Sequence, residues 1–298
     1  MDTPLFVTQI PITTKELHMF YQIDRELFCF LIFKLHYEVT QSILVMALWL
    51  WLEKIGCHNL IHKVASLQGT LINALVIEAL TCLQFLERDD LPIPNGGGLP
   101  LSEMLMNKSI SLEMFISRRY TIIIGIKTVL NETCVRVFND VLQIALKRKY
   151  IIETRGSTTS QTHTFNTPLI LPGFPHPLFG SFDLLPRIEN LNLSDGSMWI
   201  QKKPYDDATN DDKSLFLTFS RGFPVSDIEV KCLFTTNYGD CVQRLIMGGN
   251  HVKNDQPLFA IMVLKKVENV DQILSGKRVA KLQINGKHIW ARKYEPRV

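Results

Sequence analysis

The segments LFLTFS at residues 215–220 and LFAIMVL at residues 258–264 decide the fold of the C-terminal part of this chain. Apolar residues alternate along both segments, which is typical of β-strands with one buried face. In the first segment, Phe216 and Thr218 share the face opposite to the two leucines. Each segment therefore predicts a strand that carries a phenylalanine among apolar neighbours.

A helix between these strands is indicated by Ser226 and Glu229, which are spaced as a capping box. The Asn285-Gly286 pair predicts a tight turn close to the C-terminus. The remaining predicted elements are a strand at 241–247, a short helix at 270–274 and a last strand that ends near 294. The order β-α-β-β-α-β over residues 213–296 predicts a ferredoxin-like fold.

The C-terminal part resembles the RNA recognition motif family, whose two inner strands carry aromatic residues that stack on nucleotide bases. Leu215-Phe216-Leu217 matches the aliphatic-aromatic-aliphatic pattern of the first family signature. In the second signature, Phe259 takes the first stacking position and Ile261 takes the second. The resemblance implies that Phe216 and Phe259 lie on the open face of the sheet and stack on RNA.

The second signature departs from the family pattern. Pro257 and Leu258 stand where a basic residue and a glycine are usual, and Ile261 is not aromatic. Each lost stack is worth about 1–3 kcal/mol, so a weaker or less selective binder is expected. Trp290 and Arg292, predicted on the same face of the last strand, can replace the missing ring. Alternatively, Trp290 packs against the C-terminal tail or the helical region and covers the sheet.

The run TFSRGFPVS at residues 218–226 is similar to a group of plant proteins in which a helical N-terminal region precedes one such module. This wider resemblance implies RNA binding and names no particular target.

The first hypothesis for the function is single-stranded RNA binding without a cofactor or a metal. Aromatic side chains on the sheet would stack on bases, and basic side chains would meet the phosphate backbone. The predicted RNA-binding residues are Phe216, Thr218, Phe259, Ile261, Trp290, Arg292, Arg221, Lys265, Lys287 and Lys293.

The second hypothesis is a protein-interaction module on the same fold. One subclass of these domains binds peptide tryptophans through its helical side, using acidic residues in the first helix and an Arg-x-Phe tripeptide. Asp227 and Glu229 match the acidic residues, but Lys287-His288-Ile289 lacks the aromatic. No nucleophile elbow, phosphate loop or dinucleotide fingerprint occurs, so the sequence does not predict an enzyme.

Residues 13–150 are predicted to form an all-α domain of about five to seven helices, so the whole chain is predicted to be α+β. Thr13 and Glu16 are spaced as a capping box. Cys57, His58 and His62 are candidate metal ligands, since the two histidines are four residues apart and could share a helix face, but a fourth ligand is not visible, which favours a structural role. This domain is expected to self-associate or to recruit a protein partner.

Residues 151–212 are rich in Thr, Ser, Asn and Pro, which predicts a linker that is partly disordered. An apolar island in this linker is expected to dock on the helical domain, although it could instead bind a partner as a short linear segment. The island consists of Phe174, Phe179, Phe182, Leu184 and Leu185.

Charge is distributed unevenly along the chain. Residues 213–298 contain 14 Lys and Arg against seven Asp and Glu, a net charge of +7, which leaves −4 for residues 1–212. A basic module suits a polyanionic partner, although a modest basic charge also serves solubility.

The six cysteines lack paired spacing, which favours reduced thiols in a nuclear or cytoplasmic protein. The strongest apolar run, residues 42–52, is too short to span a membrane, and the protein is not expected to bind a membrane.

Overall fold

The structure is a computed structural model, and it describes residues 12–88, 91–94, 98–106, 110–155, 176–180, 208–248 and 256–296. The α+β class is confirmed: helices dominate the N-terminal part, and a five-stranded antiparallel sheet lies in the C-terminal part. The chain divides into two compact units. The helical unit is drawn from residues 1–80, 104–108 and 126–202, and the sheet unit is drawn from residues 81–103, 109–125 and 203–298.

Nine α-helices precede the sheet among the described residues, more than the sequence pattern predicted. They are α1 (Thr14–Phe20), α2 (Gln22–Phe33), α3 (Val39–Lys54), α4 (Leu60–Ala65), α5 (Gly69–Glu87), α6 (Pro100–Met106), α7 (Leu112–Ser117), α8 (Arg119–Val129) and α9 (Val135–Arg155), with a π-helical turn at Leu130–Cys134. The predicted capping box is present, because the Glu16 side chain accepts from the Thr13 backbone and the Thr13 hydroxyl accepts from the Glu16 backbone. Tyr21 separates α1 from α2, since it is the C-cap of the first helix and the N-cap of the second.

Helix α3 forms the centre of the helical unit because it is apolar on all sides. Every residue from 42 to 52 is buried, and helices α2, α4 and α9 pack against α3. Phe28 of α2 meets Phe138 of α9 with ring centroids 4.5 Å apart. The same two helices are joined by an ion pair of 2.7 Å between Arg25 and Asp140.

Helix α5 is the one helix in the described part of the chain that is long and apolar enough to cross a membrane. Half of its apolar window is buried inside the protein. Core helices of soluble proteins have the same length and composition, so this feature alone does not indicate a membrane protein.

Of the apolar island predicted to dock, only residues 176–180 are described. Phe179 is 3% exposed and belongs to the helical unit. The other island residues, Phe174, Phe182, Leu184 and Leu185, lie outside the described residues.

The sheet unit contains five strands and two helices after residue 208. They are β1 (Ser214–Phe219), α10 (Asp227–Tyr238), β2 (Val242–Gly248), β3 (Phe259–Leu264), α11 (Val267–Leu274), β4 (Val279–Ile284) and β5 (Lys287–Lys293), and the sheet order is β2-β3-β1-β5-β4. Strand β4 is additional to the four predicted strands. It joins β5 through Asn285 and Gly286, whose φ angles of 48° and 77° lie in the left-handed region that such a hairpin turn requires.

The two faces of the sheet have different environments because side chains alternate along each strand. The inner face, together with α10 and α11, forms the apolar core of the unit. Its strand residues are Leu215, Leu217, Phe219, Ala260, Met262, Leu264, Ala280, Ile289 and Ala291. The opposite face, which we call the open face, carries exposed side chains such as Phe259, Ile246 and Val279.

The start of α8 contacts α11 within the sheet unit. The carboxylate of Asp271 accepts hydrogen bonds from the backbone nitrogens of Tyr120 and Thr121, at 3.0 and 2.9 Å. Ile124 of α8 packs with Val267 of α11. The sequence analysis had assigned these α8 residues to the helical domain, whereas here they complete the sheet unit.

Candidate nucleic-acid interface

Two rows of side chains cross all five strands on the open face. The Trp290 row consists of Gly248, Phe259, Thr218, Trp290 and Lys281, from β2 to β4. The Phe216 row consists of Ile246, Ile261, Phe216, Arg292 and Val279 in the same order. Six of the predicted RNA-binding residues therefore lie together: Phe216, Thr218, Phe259, Ile261, Trp290 and Arg292.

Phe216 and Phe259 form one aromatic surface on the two inner strands. Their ring centroids are 5.4 Å apart and their planes differ by 21°. The guanidinium of Arg292 lies over the Phe216 ring, with its central carbon 4.7 Å from the ring centroid. This is the geometry of a cation–π contact. Aromatic rings and a guanidinium plane at one place can each stack on a nucleobase.

Gly248 leaves space for the ring of Phe259. A Cβ atom at this position would lie 2.2 Å from Cε2 of Phe259, which is closer than side-chain atoms approach one another. The backbone of Gly248 is paired with Phe259 across β2 and β3. The ring can therefore lie across the neighbouring strand only because residue 248 has no side chain.

Trp290 extends the aromatic surface onto β5. It stands between Thr218 of β1 and Lys281 of β4, and it remains partly exposed in the described structure. The ring of His288 lies beside it, with centroids 5.9 Å apart. The alternative that Trp290 packs against the C-terminal tail or the helical region stays a prediction.

The charge of the open face is basic. None of the five strands contains an aspartate or a glutamate. Arg244, Lys281 and Arg292 are exposed strand residues on the open face. Arg221, which was also predicted, is exposed in the loop after β1. Such cations attract phosphate, and no carboxylate within the five strands opposes that attraction.

Lys287 points to the helical side of the sheet. Its ammonium lies 2.8 Å from Oε1 of Glu229 in α10. The predicted capping box of α10 is present as well, since Glu229 accepts from the Ser226 backbone through Oε2 at 2.9 Å. The Lys287 contact, followed by the Ser226 contact, lowers the pKa of Glu229 to about 2. Lys287 is therefore occupied in holding the β4–β5 hairpin to α10.

Lys293 and Lys265 also lie away from the two rows. Lys293 donates to the backbone carbonyl of Asp211, and its ammonium lies 5.9 Å from the ring centroid of Tyr120. Lys265 pairs with Asp240 after the end of β3. The alternation of β5 explains the orientation of Lys287 and Lys293, because both share the face of the buried residue Ile289.

Two basic residues of the open face were missed by the sequence analysis. Lys281 lies on β4, which was not recognised as a strand, and Arg244 lies on β2. The signal for Lys281 was present, since Ala280, Leu282 and Ile284 alternate with polar or exposed residues. This alternation has only three inner positions, one of them an alanine, and it lies beside a turn, so it is a weak strand signal.

The candidate metal ligands of the helical unit differ in solvent exposure. Cys57 is buried in the core, whereas His58 and His62 are exposed. The described residues contain no cluster of three or more side chains that could hold a metal ion.

Comparison with known proteins finds no matching family model, no similar curated protein and no similar solved structure.

Proposed function

We propose that this chain binds single-stranded RNA through the open face of a ferredoxin-like domain of the RNA recognition motif type. The proposal is supported by the succession β1-α10-β2-β3-α11-β5, if β4 is taken as an added strand at one edge of the five-stranded sheet. Binding requires no cofactor and no covalent chemistry. A nuclear or cytoplasmic location would suit this function.

The observation that carries the proposal is the aromatic pair Phe216 and Phe259, which stack on each other from the two inner strands with ring centroids 5.4 Å apart. Rings on a sheet surface stack on bases of any sequence, and each stack contributes about 1–3 kcal/mol. Exposed cations at Arg244, Lys281 and Arg292 add the phosphate attraction that RNA binding needs.

The test is a fluorescence anisotropy titration of the full chain with labelled random single-stranded RNA. Phe216→Ala and Phe259→Ala should each weaken binding by about 1–3 kcal/mol and leave the salt dependence unchanged, because no phosphate contact is removed. Phe223→Ala is the matched control, since Phe223 is exposed in a loop outside the two rows. If both sheet variants bind as the parent does, the proposal is wrong.

A second candidate function is protein interaction through the helical side. It is favoured by two exposed apolar side chains, Phe223 in the loop before α10 at 56% exposure and Ile228 in the first turn of α10 at 73% exposure. The start of α8 already occupies part of α11, so this interaction would use α10. Changing both residues to serine should reduce concentration-dependent self-association in sedimentation experiments and leave RNA binding unchanged.

A further inference from the structure

The open face continues beyond Trp290 onto the additional strand β4. Lys281 is the register partner of Trp290, and Gln283 is the register partner of His288. Both β4 side chains are exposed and alternate with the buried or half-buried residues of that strand. Since neighbouring strands lie about 4.8 Å apart, these side chains border the tryptophan on the side away from the phenylalanines.

The chemistry of this border fits a nucleotide. Lysine is a point charge that pairs with phosphate, and the glutamine amide offers both donors and an acceptor to a base edge. His288, beside Trp290, has a buried Nδ1 atom without a hydrogen-bond partner in the described structure. Because that atom is buried, the contribution of His288 to this border is the packing of its ring beside Trp290.

The position of Lys281 separates it from the other lysines near the sheet. Lys287 and Lys293 lie on the helical side, where Glu229 and the Asp211 carbonyl hold them. Lys281 shares its row with Phe259 and Trp290 instead. A lysine on the helical side cannot reach a strand of RNA lying on the open face, whereas Lys281 projects from that face.

We propose that Lys281, Gln283, His288 and Trp290 form an outer subsite that takes one additional nucleotide of single-stranded RNA. Trp290 stacks on its base, Gln283 reads the base edge, and Lys281 neutralises its phosphate. The subsite rests on the proposed RNA binding and extends it, because it requires a ligand long enough to pass from the phenylalanine pair to β4.

The experiment compares a dinucleotide with an octanucleotide, each as labelled oligo(U), oligo(C) and oligo(A), in anisotropy titrations of the full chain. Lys281→Ala should weaken octanucleotide binding about fivefold or more and lower its salt slope by about one, while dinucleotide binding stays unchanged. Gln283→Ala should change the ranking of the three octanucleotides and leave the salt slope unchanged. Lys277→Ala is the matched control, an exposed lysine in the turn before β4.

The outcomes separate the subsite from the proposed function. If the parent binds RNA but the Lys281 and Gln283 variants bind the octanucleotides as the parent does, the subsite is wrong and RNA binding stands. If the variants lose dinucleotide and octanucleotide binding equally, these residues do not define an outer position, and the subsite is again wrong. A parent that binds none of the oligonucleotides at low salt overturns both proposals. Lys281→Gln, which removes the charge but keeps a polar side chain only one atom shorter, should reproduce the loss of salt slope.

Discussion

Asp271 of α11 holds Thr121 at the start of α8, with its carboxylate 2.9 Å from the Thr121 backbone nitrogen and 2.6 Å from the hydroxyl oxygen. The carboxylate is 7% exposed, and burial raises its pKa above the usual value. An acidic side chain at this place satisfies donors that a helix start leaves unpaired. The contact therefore links two segments about 150 residues apart in the sequence.

Asp271→Ala should lower the free energy of unfolding by about 2 kcal/mol, because Thr121 and Tyr120 keep donors that no longer have an acceptor. Urea unfolding followed by circular dichroism measures the change. Asp240→Ala is the control, since the Asp240 side chain is 83% exposed and its surface ion pair contributes little. Equal effects of the two substitutions would contradict the structural role of Asp271.

A fragment of residues 203–298 should be less stable than a fragment that begins at Thr81 and contains the whole sheet unit. The shorter fragment lacks the packing of Ile124 against Val267. It also lacks the hydrogen bond that the start of α8 donates to Asp271. The measurements are the thermal midpoint and the binding of a hydrophobic dye, which should rise in the shorter fragment. Identical midpoints would show that residues 109–125 do not belong to the folded unit.

Lys287→Met should lower stability at neutral pH and reduce the acid sensitivity of the protein. The pKa of Glu229 falls from 4.5 to about 2 on folding, mainly through Lys287. Its stabilising contribution is present above about pH 4.5 and is lost as the pH falls through about 2. Urea titrations over this range should therefore bring the variant and the parent together at the acid end.

The same variant separates the two faces of the sheet. Because Lys287 lies on the helical side, its loss should leave the salt slope of RNA binding unchanged, in contrast to the expectation from sequence. Arg244→Ala, on the open face, should lower that slope by about one. If Lys287→Met lowers the salt slope of RNA binding, the RNA contacts the helical side of the sheet and our proposal for the open face is wrong.

Gly248→Ala should weaken RNA binding by displacing the ring of Phe259, which a Cβ atom would approach to 2.2 Å. The loss should be of the same order as that of Phe259→Ala, about 1–3 kcal/mol. A double-mutant cycle checks the mechanism: in the Phe259→Ala background, Gly248→Ala should cost almost nothing. Additive losses would mean that Gly248 acts on the binding surface independently of this ring.

Much of the sheet unit follows from local sequence signals. Strands β1 and β3 alternate clearly, and Ser226 with Glu229 identifies the start of α10. The alternation along β5 also predicts that Lys287 lies on the inner face, because it shares that face with the apolar residue Ile289.

Other features carry little or no local signal. The contact between Asp271 and Thr121 joins distant segments, and a buried aspartate in a short helix does not reveal its partner. Strand β4 is short, with a small alanine at one of its three inner positions, so its pattern resembles the approach to a turn. The close approach of Phe259 to Gly248 depends on register, which neither strand determines alone.

The guanidinium of Arg292 over Phe216 has a consequence for the protein before any ligand arrives. An uncovered aromatic surface is an exposed apolar patch, which promotes self-association of the chain at high concentration. Arg292 places a hydrated ion on the ring and interrupts the continuous apolar surface. We therefore expect Arg292 to limit self-association of the free protein, independently of any role in recognition.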